Sequence, residues 1–180
     1  MTLFSPFNRI AVVEVDGFIS QGGNKDDFLF GAKGTGSDEM SGLLEQISKD
    51  FTIKGVILRV NSPGGSIVAS DQIYAAVKQL SKKGKVVYAS FGNIATSGGY
   101  YISLGSDKIY ANPGTLTGSI GVISVFQNYE QLQQMLGITR DVIKTGEFAD
   151  LLSPNKAFTD EEREMLQDYQ SIHYNTFLER

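Results

Sequence analysis

Segments with strand character and segments with helix character alternate along the chain, and this alternation limits the possible folds more than any other feature. Apolar runs typical of strands occupy Arg9 to Val15, Gly55 to Val60 and Lys85 to Ser90. Apolar residues recur at helical spacing over 37–48, 67–80 and 97–104. Strands separated by helices pair in parallel, so we expect an α/β domain with mainly parallel strands.

Two connections near the start of the chain are also predicted from residue types. The Gly-, Asp- and Lys-rich stretch from Ser20 to Gly36 is expected to be a mobile loop. Ser37 or Asp38 is expected to cap the helix that follows it.

The later part of the chain continues the alternation with shorter elements. We expect strands at Lys108 to Ala111, Ser119 to Val125 and Arg140 to Lys144, and a helix over Tyr129 to Leu136 that ends at Gly137. Thr159 and Glu162 have the spacing of a capping box, which predicts a long last helix. The stripe along that helix, predicted to pack into a core, consists of Met165, Leu166, Tyr169, Ile172, His173, Thr176 and Phe177.

Composition excludes several kinds of chemistry. The 180 residues include no cysteine and one histidine, His173, so we expect no thiolate catalysis and no metal site. A net charge of -4 without a basic patch argues against nucleic acid as a partner. No apolar run reaches the ~18 residues of a membrane-spanning helix. We therefore expect one soluble domain over residues 1–180, with no metal and no cofactor.

Ser97 is a candidate nucleophile because of where it stands. It lies in the stretch N93-I-A-T-S-G-G-Y-Y-I-S103, where a strand-like run turns into a helix. At the first turn of a helix, free backbone N–H groups stabilise negative charge on a nearby oxygen. A serine at this place is equally suited to cap the helix, so these residues alone leave both roles open. His173 lies in an apolar helical stripe, so a base for Ser97 should be a lysine.

A second glycine turn, N61-S-P-G-G65, also ends a buried strand and precedes a helix. The carboxyl ends of parallel strands meet at one edge of a sheet, where active sites form. Two such turns side by side offer backbone N–H groups for an oxyanion hole, although both can also be simple connections.

Several motifs in order along the chain resemble those of the signal peptide peptidase A (SppA) family of serine proteases. They are N61-S-P-G-G65, T96-S-G-G-Y-Y101, L116-T-G-S-I-G-V122 and I143-K-T-G146, followed by Asp150 and the pair Ser153 and Pro154. The resemblance implies a ClpP/crotonase-like fold, a spiral of ββα units, and a Ser/Lys dyad that cleaves peptides, particularly remnant signal peptides.

By the same resemblance, Ser97 is the nucleophile and Ser119 orients the general base. Backbone N–H groups of Gly64 or Gly65 and of Gly98 form the oxyanion hole. The family further implies a homo-oligomeric ring and a bacterial protein anchored in the membrane, with its catalytic domain on the extracytoplasmic face. Neither the N-terminal anchor nor the family's C-terminal end is expected within residues 1–180.

The sequence departs from the family pattern at the position of the base. The family has lysine where G146-E-F-A-D150 has Ala149. Alanine cannot accept a proton, so we expect this chain to be catalytically inactive. Three explanations are open: a deliberate replacement of the lysine, Lys144 acting as a substitute base, or a natural pseudoenzyme.

Three functions are consistent with these features of the sequence. The first is a serine endopeptidase domain for extended hydrophobic peptides, disabled at its base. The second is a crotonase-like acyl-thioester enzyme, which would bind coenzyme A. The third is a catalytically silent scaffold that binds peptides.

Overall fold

The computed structural model describes residues 8–23, 26–27 and 32–180 of the chain, and for 26–27 and 32–33 it describes the backbone only. These residues form two compact units. The first contains the described residues up to Gly121 together with Phe177–Arg180, and the second is Val122–Thr176. That residues 1–180 form a single protease domain stays a prediction.

Eight strands and three helices make up the described part of the first unit. They are β1 (Arg9–Ser20), β2 (Asp26–Asp27), β3 (Ala32–Lys33), β4 (Thr35–Gly36), α1 (Ser37–Lys49), β5 (Ile53–Gly65), α2 (Ile67–Lys82), β6 (Val86–Thr96), α3 (Gly98–Ser103), β7 (Lys108–Tyr110) and β8 (Leu116–Gly118). The second unit contains α4 (Glu130–Met135) and most of α5 (Asp160–Leu178).

The main sheet of the first unit is parallel throughout its described strands. Its order is β4-β1-β5-β6-β7, and β8 also pairs with β6. Val12 lies opposite Ile57, and Ile57 lies opposite Tyr88, so the three long strands run in register. Helices α1, α2 and α3 connect these strands, which confirms the predicted α/β class with mainly parallel strands.

The core of the first unit lies between the sheet and its helices. Alternate residues of β1, β5 and β6 are buried, as a period of two along each strand requires. The helices contribute their apolar faces, which hold Leu44 of α1 and Ile73, Val77 and Leu80 of α2. This core fixes the ends of β5 and β6, where the two glycine turns lie.

The structure corrects two predicted strands. Ser119 to Val125 is not a strand, because β8 ends at Gly118 and both Gly118 (φ 91°) and Ser119 (φ 53°) leave the extended conformation. Arg140 to Lys144 is irregular backbone, and no strand among the described residues of the second unit is available to pair with it. An apolar run without a pairing partner cannot satisfy its backbone in a sheet.

The helix boundaries follow the predictions more closely. Gly137 has φ 68° just after α4, as expected of a helix stop. The capping box is confirmed: the N–H of Glu162 donates to Thr159 Oγ1 at 3.2 Å, and the Glu162 carboxylate accepts from the Thr159 N–H at 3.0 Å. The predicted cap of α1 is wrong, because Gly36 is the N-cap and Ser37 donates its hydroxyl to Gln72 instead.

The predicted burial of the α5 stripe is mostly wrong. Phe177 is buried, but Met165, Tyr169 and Ile172 are exposed. His173 is half-buried, and its ring packs edge-on against Tyr169 with 4.5 Å between ring centroids. Helical spacing identified an apolar face, but spacing does not show what covers that face.

Candidate active site

Ser97 occupies a sharp corner between β6 and α3. Its backbone has φ 49° and ψ -121°, a conformation that is costly for a residue with a side chain and that clusters at active sites. The Ser97 carbonyl accepts from the N–H of Tyr101 at 2.8 Å, and the Ser97 N–H donates to the carbonyl of Gly118 at 2.9 Å. Ser97 is half-buried, so the residue is not enclosed in the core.

The second glycine corner, at the end of β5, lies directly against the Ser97 corner. A Cβ placed on Gly64 would be 2.9 Å from the Cβ of Ser97 and 2.7 Å from the nitrogen of Gly98. A Cβ placed on Gly98 would be 3.2 Å from the nitrogen of Gly65. The structure therefore brings Gly64, Gly65, Ser97 and Gly98 together, as the position of both turns at one sheet edge predicts.

Glycine is required at Gly64 for two reasons. Its φ of 105° is in the left-handed region, which side chains rarely adopt. A side chain there would also collide with the backbone that carries the Ser97 hydroxyl. Close approach of the two corners thus depends on the missing Cβ.

The N–H groups of this corner are not equally available. The Gly64 N–H donates to Ser62 Oγ at 3.1 Å inside the protein, so it is already used. Gly65 is exposed, and Gly98 is the first residue of α3, where the N–H has no acceptor within the helix. Of the predicted donors, Gly65 and Gly98 fit an oxyanion hole better than Gly64 does.

Ser119 lies close to Ser97 through the backbone. It follows Gly118, whose carbonyl accepts the Ser97 N–H, and it is exposed. Ser97 and Ser119 are the two residues other than glycine with positive φ in the described chain. A role for Ser119 in orienting a base stays a prediction.

Ala149 lies in the second unit, in a turn that follows Lys144. The Ala149 N–H donates to the carbonyl of Gly146 at 3.2 Å, and the methyl group is exposed. Lys144 Nζ donates to Asp150 Oδ1 and to the carbonyl of Glu147, both at 2.7 Å. The hydrogen bond from Lys144 holds the pKa of Asp150 below its ordinary value, so this carboxylate stays charged beside the ammonium.

Sequence patterns alone did not single out four residues that support the glycine corners. Ser62 Oγ donates to the carbonyl of Gly17 at 2.6 Å, and Thr96 Oγ1 donates to the carbonyl of Pro63 at 3.0 Å. Asn61 Oδ1 accepts from the N–H groups of Asn93 and Ile94 at 3.1 and 3.3 Å. Ser70 Oγ is buried without a hydrogen-bond partner among the described residues, next to Gly98. No periodicity marks these residues, although their position beside the turns is a signal.

Comparison with known proteins decides the family. A family model described as "Peptidase family S49" matches residues 79–180, which is more than half of the chain, and a Clp protease model matches residues 37–115. The chain belongs to peptidase family S49.

Two relatives of the chain agree with this assignment. The chain is 38% identical over 170 residues to the "Putative signal peptide peptidase SppA" of Enterococcus faecium, covering 94% of this chain and 49% of the relative. It is 41% identical over 170 residues to the "Putative protease slr0021" of a Synechocystis strain, covering 94% and 56%. The chain thus spans about half the length of these relatives. The resemblance to the SppA family and to the ClpP fold is confirmed.

Solved structures with some similarity to this chain include the S97A mutant of the 1510-N membrane-bound stomatin-specific protease. The TM-score is 0.47 and the sequence identity 22%, covering 68% of this chain and 51% of that chain.

The described residues of this S49 chain lack two further kinds of feature. They contain no group of three or more histidine, cysteine, aspartate or glutamate side chains placed to hold a metal. No helix among them has the length and apolar character to cross a membrane.

Proposed function

We propose that Ser97 is the nucleophile of a peptide hydrolase and that the N–H groups of Gly65 and Gly98 form its oxyanion hole. The observation that carries the proposal is the contact between the two corners, with 2.9 Å between the Cβ of Ser97 and a Cβ placed on Gly64. Membership of peptidase family S49 supports the reaction class and favours it over the acyl-thioester alternative. The strained backbone of Ser97 is also typical of a nucleophile at a strand-to-helix turn.

In the proposed reaction, Ser97 Oγ bonds to the carbonyl carbon of a peptide. The carbonyl π electrons move to oxygen, and the N–H groups of Gly65 and Gly98 donate to the resulting oxyanion. The proton of the Ser97 hydroxyl has to pass to a base and then to the leaving amine for the peptide bond to break.

Ala149 has no atom that accepts that proton, so we propose that this chain binds peptides but does not cleave them at an appreciable rate. Lys144 is a poor substitute, because its Nζ is held by Asp150 Oδ1 and by the carbonyl of Glu147, both at 2.7 Å. A side chain held in this way is not free to accept the proton of Ser97. Ser119, next to the Gly118 carbonyl that holds Ser97, is the proposed residue for orienting a lysine at position 149.

We propose extended hydrophobic peptides, including remnants of signal peptides, as substrates. The family assignment and the name of the Enterococcus faecium relative, a putative signal peptide peptidase, support this class. Attachment to a membrane, with the catalytic domain on the extracytoplasmic face, stays a prediction.

A homo-oligomer, proposed as a ring, fits the surface of the second unit. Ile123, Val125, Met135 and Ile143 are each at least 80% exposed there. Soluble proteins rarely leave so many large apolar side chains uncovered, and such surfaces mark interfaces. A second copy of the chain is the proposed partner for this surface.

Restoring the base tests the proposed function. Ala149→Lys should raise the rate of cleavage of an internally quenched peptide rich in leucine and alanine by about 10²–10⁴-fold, the usual contribution of a general base. Adding Ser97→Ala to Ala149→Lys should remove that activity. The proposal is wrong if Ala149→Lys folds and assembles like the parent protein yet cleaves no peptide. A thermal shift with coenzyme A in place of peptide would favour the acyl-thioester enzyme.

A further inference from the structure

Backbone pairing between β5 and β6 stops just before the two glycine corners. The last pair in the ladder is Ser62 opposite Ala95. The next residues are Pro63 and Thr96, and proline has no N–H with which to extend the ladder. The corners therefore continue beyond the point where the sheet holds the strands together.

Beyond this point, a side-chain hydrogen bond connects the two corners. Thr96 is 8% exposed, and its Oγ1 donates to the carbonyl of Pro63 at 3.0 Å. Among the side-chain hydrogen bonds of the described residues, this is the one that joins the stretch Pro63 to Gly65 to the stretch Thr96 to Gly98. Thr96 immediately precedes the proposed nucleophile, and Pro63 immediately precedes Gly64.

We infer that Thr96 is a positioning residue for the proposed peptidase reaction: its hydroxyl, bound to Pro63, sets the separation between Ser97 and the N–H of Gly65, and so between the N–H groups of Gly65 and Gly98. The inference rests on the proposed function of Ser97. A Cβ on Gly64 would lie 3.1 Å from the Thr96 carbonyl oxygen, so the two corners are in contact and a small shift of either moves the oxyanion hole.

The other supports hold each corner to different neighbours. Ser62 ties its corner to Gly17 of β1, and Asn61 ties β5 to Asn93 and Ile94 of β6, before the corner. The Ser97 N–H ties the nucleophile corner to β8. Among the described residues, none of these bonds joins the stretch Pro63 to Gly65 to the stretch Thr96 to Gly98, as the Thr96 hydroxyl does. A strained corner keeps its conformation only when its surroundings enforce it, and the Thr96 hydroxyl is the part of those surroundings that acts from the Pro63 side.

The test compares three substitutions in the Ala149→Lys protein, with the internally quenched peptide as substrate. Thr96→Val keeps the shape but loses the hydroxyl, and Thr96→Ser keeps the hydroxyl. Thr117→Val is the matched control, because Thr117 Oγ1 donates to the carbonyl of Ala95 at 2.9 Å without joining the two corners.

We expect Thr96→Val to lower kcat about tenfold or more with KM within about twofold, since misplacing reacting groups costs rate more than binding. Thr96→Ser and Thr117→Val should both stay within about twofold of the Ala149→Lys parent. A Thr96→Val protein with unchanged kcat, or with a loss that Thr96→Ser does not restore, would overturn the inference.

A second measurement does not depend on activity. In the chain with Ala149 in place, hydrogen exchange of the segment 62–66 should be about tenfold faster in Thr96→Val than in Thr96→Ser or Thr117→Val. Equal exchange in all three variants overturns the inference about Thr96. If instead the proposed function is wrong, the Ala149→Lys protein is inactive while the difference in hydrogen exchange persists. The two failures are therefore distinguishable.

Discussion

The N–H of Ser97 donates to the carbonyl oxygen of Gly118 at 2.9 Å, and Ser97 and Ser119 each directly follow the end of one of two paired strands. Both have positive φ, which costs free energy in residues other than glycine. Their strain is maintained by the parallel pairing of β6 with β8 and, at Ser97, by the first hydrogen bond of α3. A common role for the two serines in the proposed reaction stays a prediction.

Gly98 gives a prediction about packing. A methyl group there would lie 2.4 Å from Ser70 Oγ, a buried atom. Gly98→Ala should therefore lower the free energy of unfolding by about 1–3 kcal/mol, the usual cost of overpacking. Gly42 of α1 is the matched helical control, since no atom lies within 4 Å of a Cβ placed there.

Gly42→Ala should stabilise the protein by about 0.5–1 kcal/mol, because alanine favours a helix over glycine. Urea unfolding of both variants checks the pair. A Gly98→Ala protein as stable as Gly42→Ala would show that the corner around Gly98 is not closely packed.

Tyr101 gives a prediction about alkaline pH. Its hydroxyl donates to Asp71 Oδ1 and accepts from Arg180 Nε at 3.0 Å. Burial, together with the hydrogen bond to Asp71, raises the pKa of Tyr101 from 10.0 to about 12. Between these two values the unfolded chain loses this proton before the folded chain does, so stability is full below pH 10 and falls as pH rises toward 12.

The measurement is the free energy of unfolding of the parent and of Tyr101→Phe from pH 8 to 11, a range chosen to include the pKa near 10 of an unperturbed tyrosine. The difference between the two proteins should be constant at low pH and shrink above pH 10. A difference that does not change with pH would contradict the assigned pKa.

Lys144 gives a prediction about the base. Its Nζ is paired with Asp150 at 2.7 Å, so it should not activate Ser97. Lys144→Met should leave the rate at which a fluorophosphonate labels Ser97 in the Ala149 chain unchanged within about twofold. Ser97→Ala supplies the background rate. A loss of about tenfold or more in Lys144→Met would instead support Lys144 as the substitute base.

The convergence of the glycine corners was predictable, whereas the details that support it were not. Two turns that follow neighbouring parallel strands must meet at one sheet edge, so the contact between Gly64 and Ser97 follows from the order of elements. The bond from Thr96 to Pro63 has no such signal, because a threonine before a turn is compatible with many partners. The choice of Gly65 over Gly64 required knowing that Ser62 already accepts one N–H.

Two of the wrong predictions share a physical cause. Arg140 to Lys144 and the α5 stripe have the residue patterns of a strand and of a buried helix face. A pattern records which side chains avoid water, but not whether a pairing strand or a covering surface exists within the same chain. The strand predicted from Ser119 failed for another reason: positive φ at Ser119 comes from its tertiary surroundings rather than from its residue type.

The central claim is that the N–H groups of Gly65 and Gly98 receive the oxyanion formed when Ser97 attacks. A crystal structure of the Ala149→Lys protein with a peptide boronic acid tests it most directly. The account predicts boron bonded to Ser97 Oγ, with one boronate oxygen about 2.7–3.1 Å from the nitrogens of both Gly65 and Gly98. Boron bonded to another residue, or a boronate oxygen directed away from both nitrogens, would contradict it.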